Sequence, residues 1–144
     1  MNPQTQPQPG SHPQGPRLFR IILPVNDIDK AAAFYTRLLG FPGERVSPNR
    51  HYFDCAGTIL ACVDPQPGGR AARPNPEPIY FAVSDIDSVH ERARAAGCHR
   101  LDEAVVVQHW GERAFFAEDP FGNPICFVDA TTLYTGGALS GAQP

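Results

Sequence analysis

The residues able to do chemistry in this chain are few and widely spaced. Arg20 interrupts an apolar run, Leu18-Phe19-Arg20-Ile21-Ile22-Leu23-Pro24-Val25. Strand alternation sorts that run into Phe19, Ile21, Leu23 and Val25 on one face and Leu18, Arg20, Ile22 and Pro24 on the other. The all-apolar set belongs under a covering helix, which leaves Arg20 on the opposite face, where burial of an unpaired cation is costly. There it meets a protein carboxylate, Glu112 or Glu118 being the candidates, or offers a forked donor to a ligand carboxylate, phosphate or carbonyl. Cys55, Cys62, Cys98 and Cys126 follow no C-x-x-C spacing, so they are read as reduced thiols and not as a zinc or redox motif. Cys126, between Ile125 and Phe127, reads as a packing residue. Asp119-Pro120-Phe121-Gly122 places Asp, Pro and Gly at positions i, i+1 and i+3 of a type I turn, so Asp119 is a turn former before it is an acid.

The elements that must position these residues follow from pattern. The 144 residues are 42% hydrophobic, enough for one domain with its own core. A net charge of -3 with scattered arginines favours neither nucleic acid nor an anionic membrane as partner. No basic segment leads into an apolar one at the N-terminus, so a cytoplasmic protein is expected. Residues 1–16, rich in Pro, Gln and Gly, and residues 136–144 read as tails around a domain at 17–135. Asp64 to Pro78, with five prolines, reads as a linker between two halves.

Those halves repeat each other, over about 17–64 and 78–130. Val25-Asn26-Asp27-Ile28-Asp29 aligns with Val83-Ser84-Asp85-Ile86-Asp87, each following an apolar strand. Asp27 and Asp85 are predicted N-caps, and Gly40 and Gly97 predicted helix ends. Ile28, Ala31, Tyr35 and Leu38 share one helix face, as do Ile86, Val89, Ala93 and Ala96. Strand-like segments then follow: GERVS, RHYFDCAG and TILACV in the first half, EAVVVQHW, ERAFFAED and NPICFVD in the second. The expected fold is α+β, with tandem β-α-β-β-β repeats whose two mixed sheets form a shared cup.

In this order, VNDIDKAAAFYTRLLGF (Val25 to Phe41), VSDID (Val83 to Asp87) and WGERAFFAEDPFGNPI (Trp110 to Ile125) resemble the vicinal oxygen chelate superfamily of glyoxalases, bleomycin-resistance proteins and extradiol dioxygenases. The resemblance implies four metal-ligand positions, and these match Arg20, Pro78, Ala61 and Cys126. A guanidinium, a proline and an alanine hold no divalent cation, and one thiol is an incomplete set. A relocated site from His51, His109 and Cys126 would require three strands to converge. The family register further implies Phe116 and its repeat counterpart His51 on the concave face, with Phe53, His109 and Trp110 nearby. The ligand-binding candidates are thus Arg20, His51, Phe53, His109, Trp110, Phe116 and Cys126. They suit a planar or anionic small molecule held without a cofactor, in a homodimer of the family type. The alternative is a metal-dependent lyase, isomerase or dioxygenase with a displaced site.

Overall fold

The computed structural model describes residues 15–134; the expected tails at 1–16 and 136–144 lie outside them apart from Gly15 and Pro16. The first repeat comprises β1 (Arg20–Pro24), α1 (Ile28–Leu39), β2 (Glu44–Ser47), β3 (Arg50–Cys55) and β4 (Thr58–Val63). The second comprises β5 (Ile79–Val83), α2 (Ile86–Ala96), β6 (Arg100–Leu101), β7 (Val106–Val107), β8 (Arg113–Glu118) and β9 (Pro124–Asp129). Both sheets are mixed. The first has the order β1-β4-β3-β2 and the second β5-β9-β8-β6, with β7 also on β8. In each, the strand before the helix runs parallel to the last strand of its repeat.

Both helices begin and end for local reasons. The Asp27 carboxylate accepts the Lys30 N–H, and the Asp85 carboxylate accepts the Ser88 N–H, so each cap satisfies a donor that the first turn leaves free. Gly40 and Gly97 close the helices in the left-handed conformation at φ 89° and 93°, which side chains with a Cβ resist. Ala31, Phe34, Tyr35 and Leu38 of α1 are buried, as are Ile86, Val89, Ala93 and Ala96 of α2. The helices pack against each other, and each also packs on its own sheet.

Register fixes which side chains lie beneath the helices. In the first sheet the covered rows are Leu23–Cys62–His51 and Ile21–Leu60–Phe53; in the second they are Ile79–Ile125–Ala117 and Phe81–Phe127–Phe115. These residues, His51 and Ile21 apart, belong to one apolar core that spans both repeats. Gly43 is needed here: a Cβ would stand 2.5 Å from the Tyr52 carbonyl oxygen and 2.8 Å from the Phe53 ring.

The repeats are also tied by a buried polar junction. Tyr35 Oη on α1 donates to Asp119 Oδ2 at 2.6 Å, although 84 residues separate them. Asp119 accepts further bonds from the Phe121 and Asn123 N–H groups and from Asn123 Nδ2. Asn123 Nδ2 also reaches the Pro24 carbonyl at 2.8 Å, and its Oδ1 accepts the Asn75 N–H at 2.9 Å. One Asp-Pro-x-Gly-Asn turn therefore fastens β1, α1 and the connecting segment. Burial, with Asp119 adding to it, holds the Tyr35 phenol well above its usual pKa, so it stays a donor.

The second repeat departs from a plain β-α-β-β-β unit. The strand expected at 103–110 is confined to β7, while β6 pairs separately with the far end of β8. Asp102 causes the break: its N–H donates to the Phe116 carbonyl, while its carboxylate accepts the Phe116 N–H. The chain then leaves the sheet until Val106.

Candidate functional site

The helix-free face of each sheet is the surface left for ligands. On the first sheet its rows are Arg20–Ile59–Asp54, Ile22–Ala61–Tyr52 and Pro24–Val63–Arg50. On the second they are Tyr80–Cys126–Phe116 and Ala82–Val128–Ala114.

Arg20 is exposed, and its guanidinium carbon lies 5.0 Å from the Phe19 ring centroid and 5.4 Å from that of Tyr52. Such a cation–π contact leaves the guanidinium N–H groups able to donate. The alternative partners are engaged elsewhere. Glu112 accepts from Trp110 Nε1 and the Tyr134 N–H, and Glu118 stands 3.9 Å from His99 Nε2. Among the described residues no carboxylate pairs with Arg20. Its neighbour Arg50 donates to Tyr52 Oη at 2.8 Å.

Two expected site residues belong to the other face. Phe53 is fully buried in the common core, against Tyr35 and Phe41, and cannot meet a ligand on the open side. His51 is also on the covered side, where Nε2 donates to the Pro42 carbonyl at 2.8 Å and Nδ1 accepts from Arg45 Nε at 3.3 Å. Both ring nitrogens are thus occupied. In their place β3 presents Tyr52 and Arg50 to the open face. Tyr52 and Phe53 are adjacent aromatics, so alternation alone does not say which is covered; pairing of Phe53 with Leu60 decides it.

On the second sheet Phe116 is half-buried over a small cluster of Ala114, Cys126 and Val128, with its ring 6.2 Å from that of Tyr80. Cys126 has no exposed surface. Burial, then the Glu112 and Asp102 carboxylates, pushes its thiol up to about 12, so it is no nucleophile at neutral pH. His109 and Trp110 lie edge-to-face at the tip of the β7–β8 hairpin, where Trp110 is 46% exposed. The bond from Trp110 to Glu112 fixes the indole there.

The positions that the family resemblance assigns to metal ligands do not fit a metal. They hold Arg20, Pro78, Ala61 and Cys126, and among the described residues no three His, Cys, Asp or Glu side chains come together as a ligand set. His51, His109 and Cys126 do not converge either, since His51 is on the covered face of the first sheet.

This arrangement of two helices and two mixed sheets defines a class, and the sequence places the chain in it. The model of the glyoxalase/bleomycin resistance protein/dioxygenase superfamily matches residues 17–127, and the chain belongs to that superfamily. Comparison with curated proteins finds no match. Among solved structures, a glyoxalase/bleomycin resistance protein from Albidiferax ferrireducens is 23% identical, with 76% of this chain and 96% of that one covered, at a TM-score of 0.67. A superfamily member from Sphaerobacter thermophilus is 24% identical over 78% of this chain and 96% of its own, at 0.62. A lactoylglutathione lyase from Agrobacterium tumefaciens is 24% identical over 80% and 94%, at 0.60. Likeness at this level establishes the fold, and the site must be read from this chain's own residues.

Proposed function

We propose that this protein binds a small aromatic or anionic molecule on the helix-free faces of its sheets, with a guanidinium where metal-dependent relatives would place a ligand. The observation that carries the reading is Arg20, stacked on Tyr52 and without a carboxylate partner among the described residues. A guanidinium over an aromatic ring suits a carboxylate or phosphate attached to a planar group, which stacks while its charge is clamped. Phe116 and Tyr80 supply aromatic surface on the second sheet. Sequestration or sensing of such a compound accords with the absence of an activated nucleophile at Cys126.

The same reading includes a homodimer. Ile22, Tyr80, Val106 and Trp110 are all more than 40% exposed, and β1 and β5 are edge strands of their sheets among the described residues. A second copy laid across these faces covers apolar surface and edges together. Sedimentation at micromolar concentration is expected to give a dimer, and a monomer alone would contradict it.

A thermal-shift screen of aromatic carboxylates and phosphates tests the binding reading, since a ligand specific to the native state raises its apparent stability. Hits whose effect is lost in Arg20→Ala support it. One tightly bound zinc, nickel, manganese or iron per chain after purification with those metals would replace it by a metal-dependent lyase, isomerase or dioxygenase.

A further inference from the structure

The segment between the repeats is not a free linker. It leaves β4 at Val63, turns through a short 3-10 helix at Gln66–Gly68, and is fastened at both ends. At the near end Asn49 Nδ2 donates to the Asp64 carbonyl, and Gln66 Nε2 reaches the Asn26 carbonyl at 3.3 Å. At the far end Asn75 donates through its N–H to Asn123 Oδ1 and through Nδ2 to the Ile22 carbonyl at 3.0 Å. Between the anchors the strap spans open space. Together with Ile22, Pro24 and Val63 on the open face of the first sheet it borders an open cleft of about 670 Å³. Arg70, whose N–H donates to the Pro65 carbonyl, and Arg73 line it. Neither makes an ion pair or a side-chain hydrogen bond among the described residues.

Arg70 and Arg73 are both exposed, so an anion approaching from solvent meets two guanidiniums that have no protein carboxylate among the described residues. Cross-strand register places a third, Arg50, beside Val63 on the same face. Asp64 is occupied by the Gln66 N–H and Nε2, and Glu77, four residues beyond Arg73, forms no ion pair with it among the described residues. Apart from Asn75 the rest of the wall is apolar or glycine, with Ile22, Pro24, Val63, Pro65 and Ala71, which suits an apolar body carrying a compact, highly charged head.

We infer that the strap is an anion-binding element whose arginines, Arg70 and Arg73, receive the phosphate of a small phosphate monoester, the apolar part of which rests on Ile22 and Val63. This rests on the open face of the first sheet being a binding surface, and it adds the chemical class of the ligand's head group. A dianionic phosphate exploits two guanidiniums better than a single carboxylate does, because each fork can take two of its oxygens.

Titration calorimetry of the full-length protein with phenyl phosphate, benzoate and phenol at fixed ionic strength tests this. Phenyl phosphate is expected to bind most tightly. The Arg70→Ala/Arg73→Ala double variant should weaken it by about tenfold or more, with an unchanged melting temperature and little effect on phenol. Equal phenyl phosphate affinity in the parent and the double variant would overturn the strap site, as would benzoate binding as tightly as phenyl phosphate. Arg20→Ala separates the two readings. Loss on Arg20→Ala without loss on the double variant leaves the open face a binding surface and removes the strap from it. Loss on the double variant alone keeps the strap and removes the Arg20 clamp.

Discussion

The two repeats share one scaffold and carry different open faces. Beneath their helices both sheets present aliphatic and aromatic rows of the same kind, Ile21–Leu60–Phe53 in one and Phe81–Phe127–Phe115 in the other. On the far side the first sheet offers Arg20, Arg50 and Tyr52, with the strap arginines above it. The second offers Tyr80, Phe116 and a protonated thiol. Packing constrains the covered faces to resemble each other, since most residues there fill a shared core. The open faces are free to diverge, and charge has collected on one of them. Substitutions on the covered side should therefore cost stability, and those on the open side should cost binding.

The largest effect is expected at the junction between the repeats. Asp119→Ala removes an acceptor used by Tyr35 Oη, two backbone N–H groups and Asn123 Nδ2, all in a buried setting, and should destabilise by about 3 kcal/mol or more. Denaturant unfolding measures it; a loss under about 1 kcal/mol would mean that the junction is not a stabilising tie.

Adjacent residues on β3 give the sharpest comparison of the two faces. Phe53→Ala opens the common core and should cost about 3 to 5 kcal/mol, while Tyr52→Ala should cost about 1 kcal/mol or less yet weaken ligand binding. The reverse ranking in urea melts would show the face assignment of β3 to be wrong.

Alkaline pH probes both faces together. Cys62, under the helices, and Cys126, on the open side, are each raised from 9.0 to about 12, chiefly by burial, and Tyr35 is raised above 10.0. Between pH 9 and 12 the unfolded chain releases these protons while the folded chain keeps them. Stability is thus fully present below pH 9 and declines as pH rises through that window. A flat profile from pH 8 to 11 would contradict the burial of these groups.

The sequence makes the local features visible and leaves the long-range ones hidden. Asp27, Asp85, Gly40 and Gly97 mark the helices because capping depends on neighbours a few residues away. Asp119 as a turn former is visible for the same reason. Its role as the acceptor for Tyr35 is not, because Tyr35 also satisfies the apolar periodicity of α1. The family register implies His51 on the open face with Phe53 nearby, and cross-strand pairing with Cys62 and Leu60 puts both on the covered one. The strap reads as a linker by composition because its order comes from partners distant in the chain, Ile22 and Asn123.

Arg20→Ala examines the central claim most directly, through ligand affinity and melting temperature measured on the same protein. With the guanidinium stacked on Tyr52 and free of carboxylates among the described residues, removal should change stability by no more than about 0.5 kcal/mol and weaken binding of an aromatic anion by about 2 to 3 kcal/mol. A destabilised protein that binds the same anion with unchanged affinity would show Arg20 to be a structural residue, and the open face would lose its clamp.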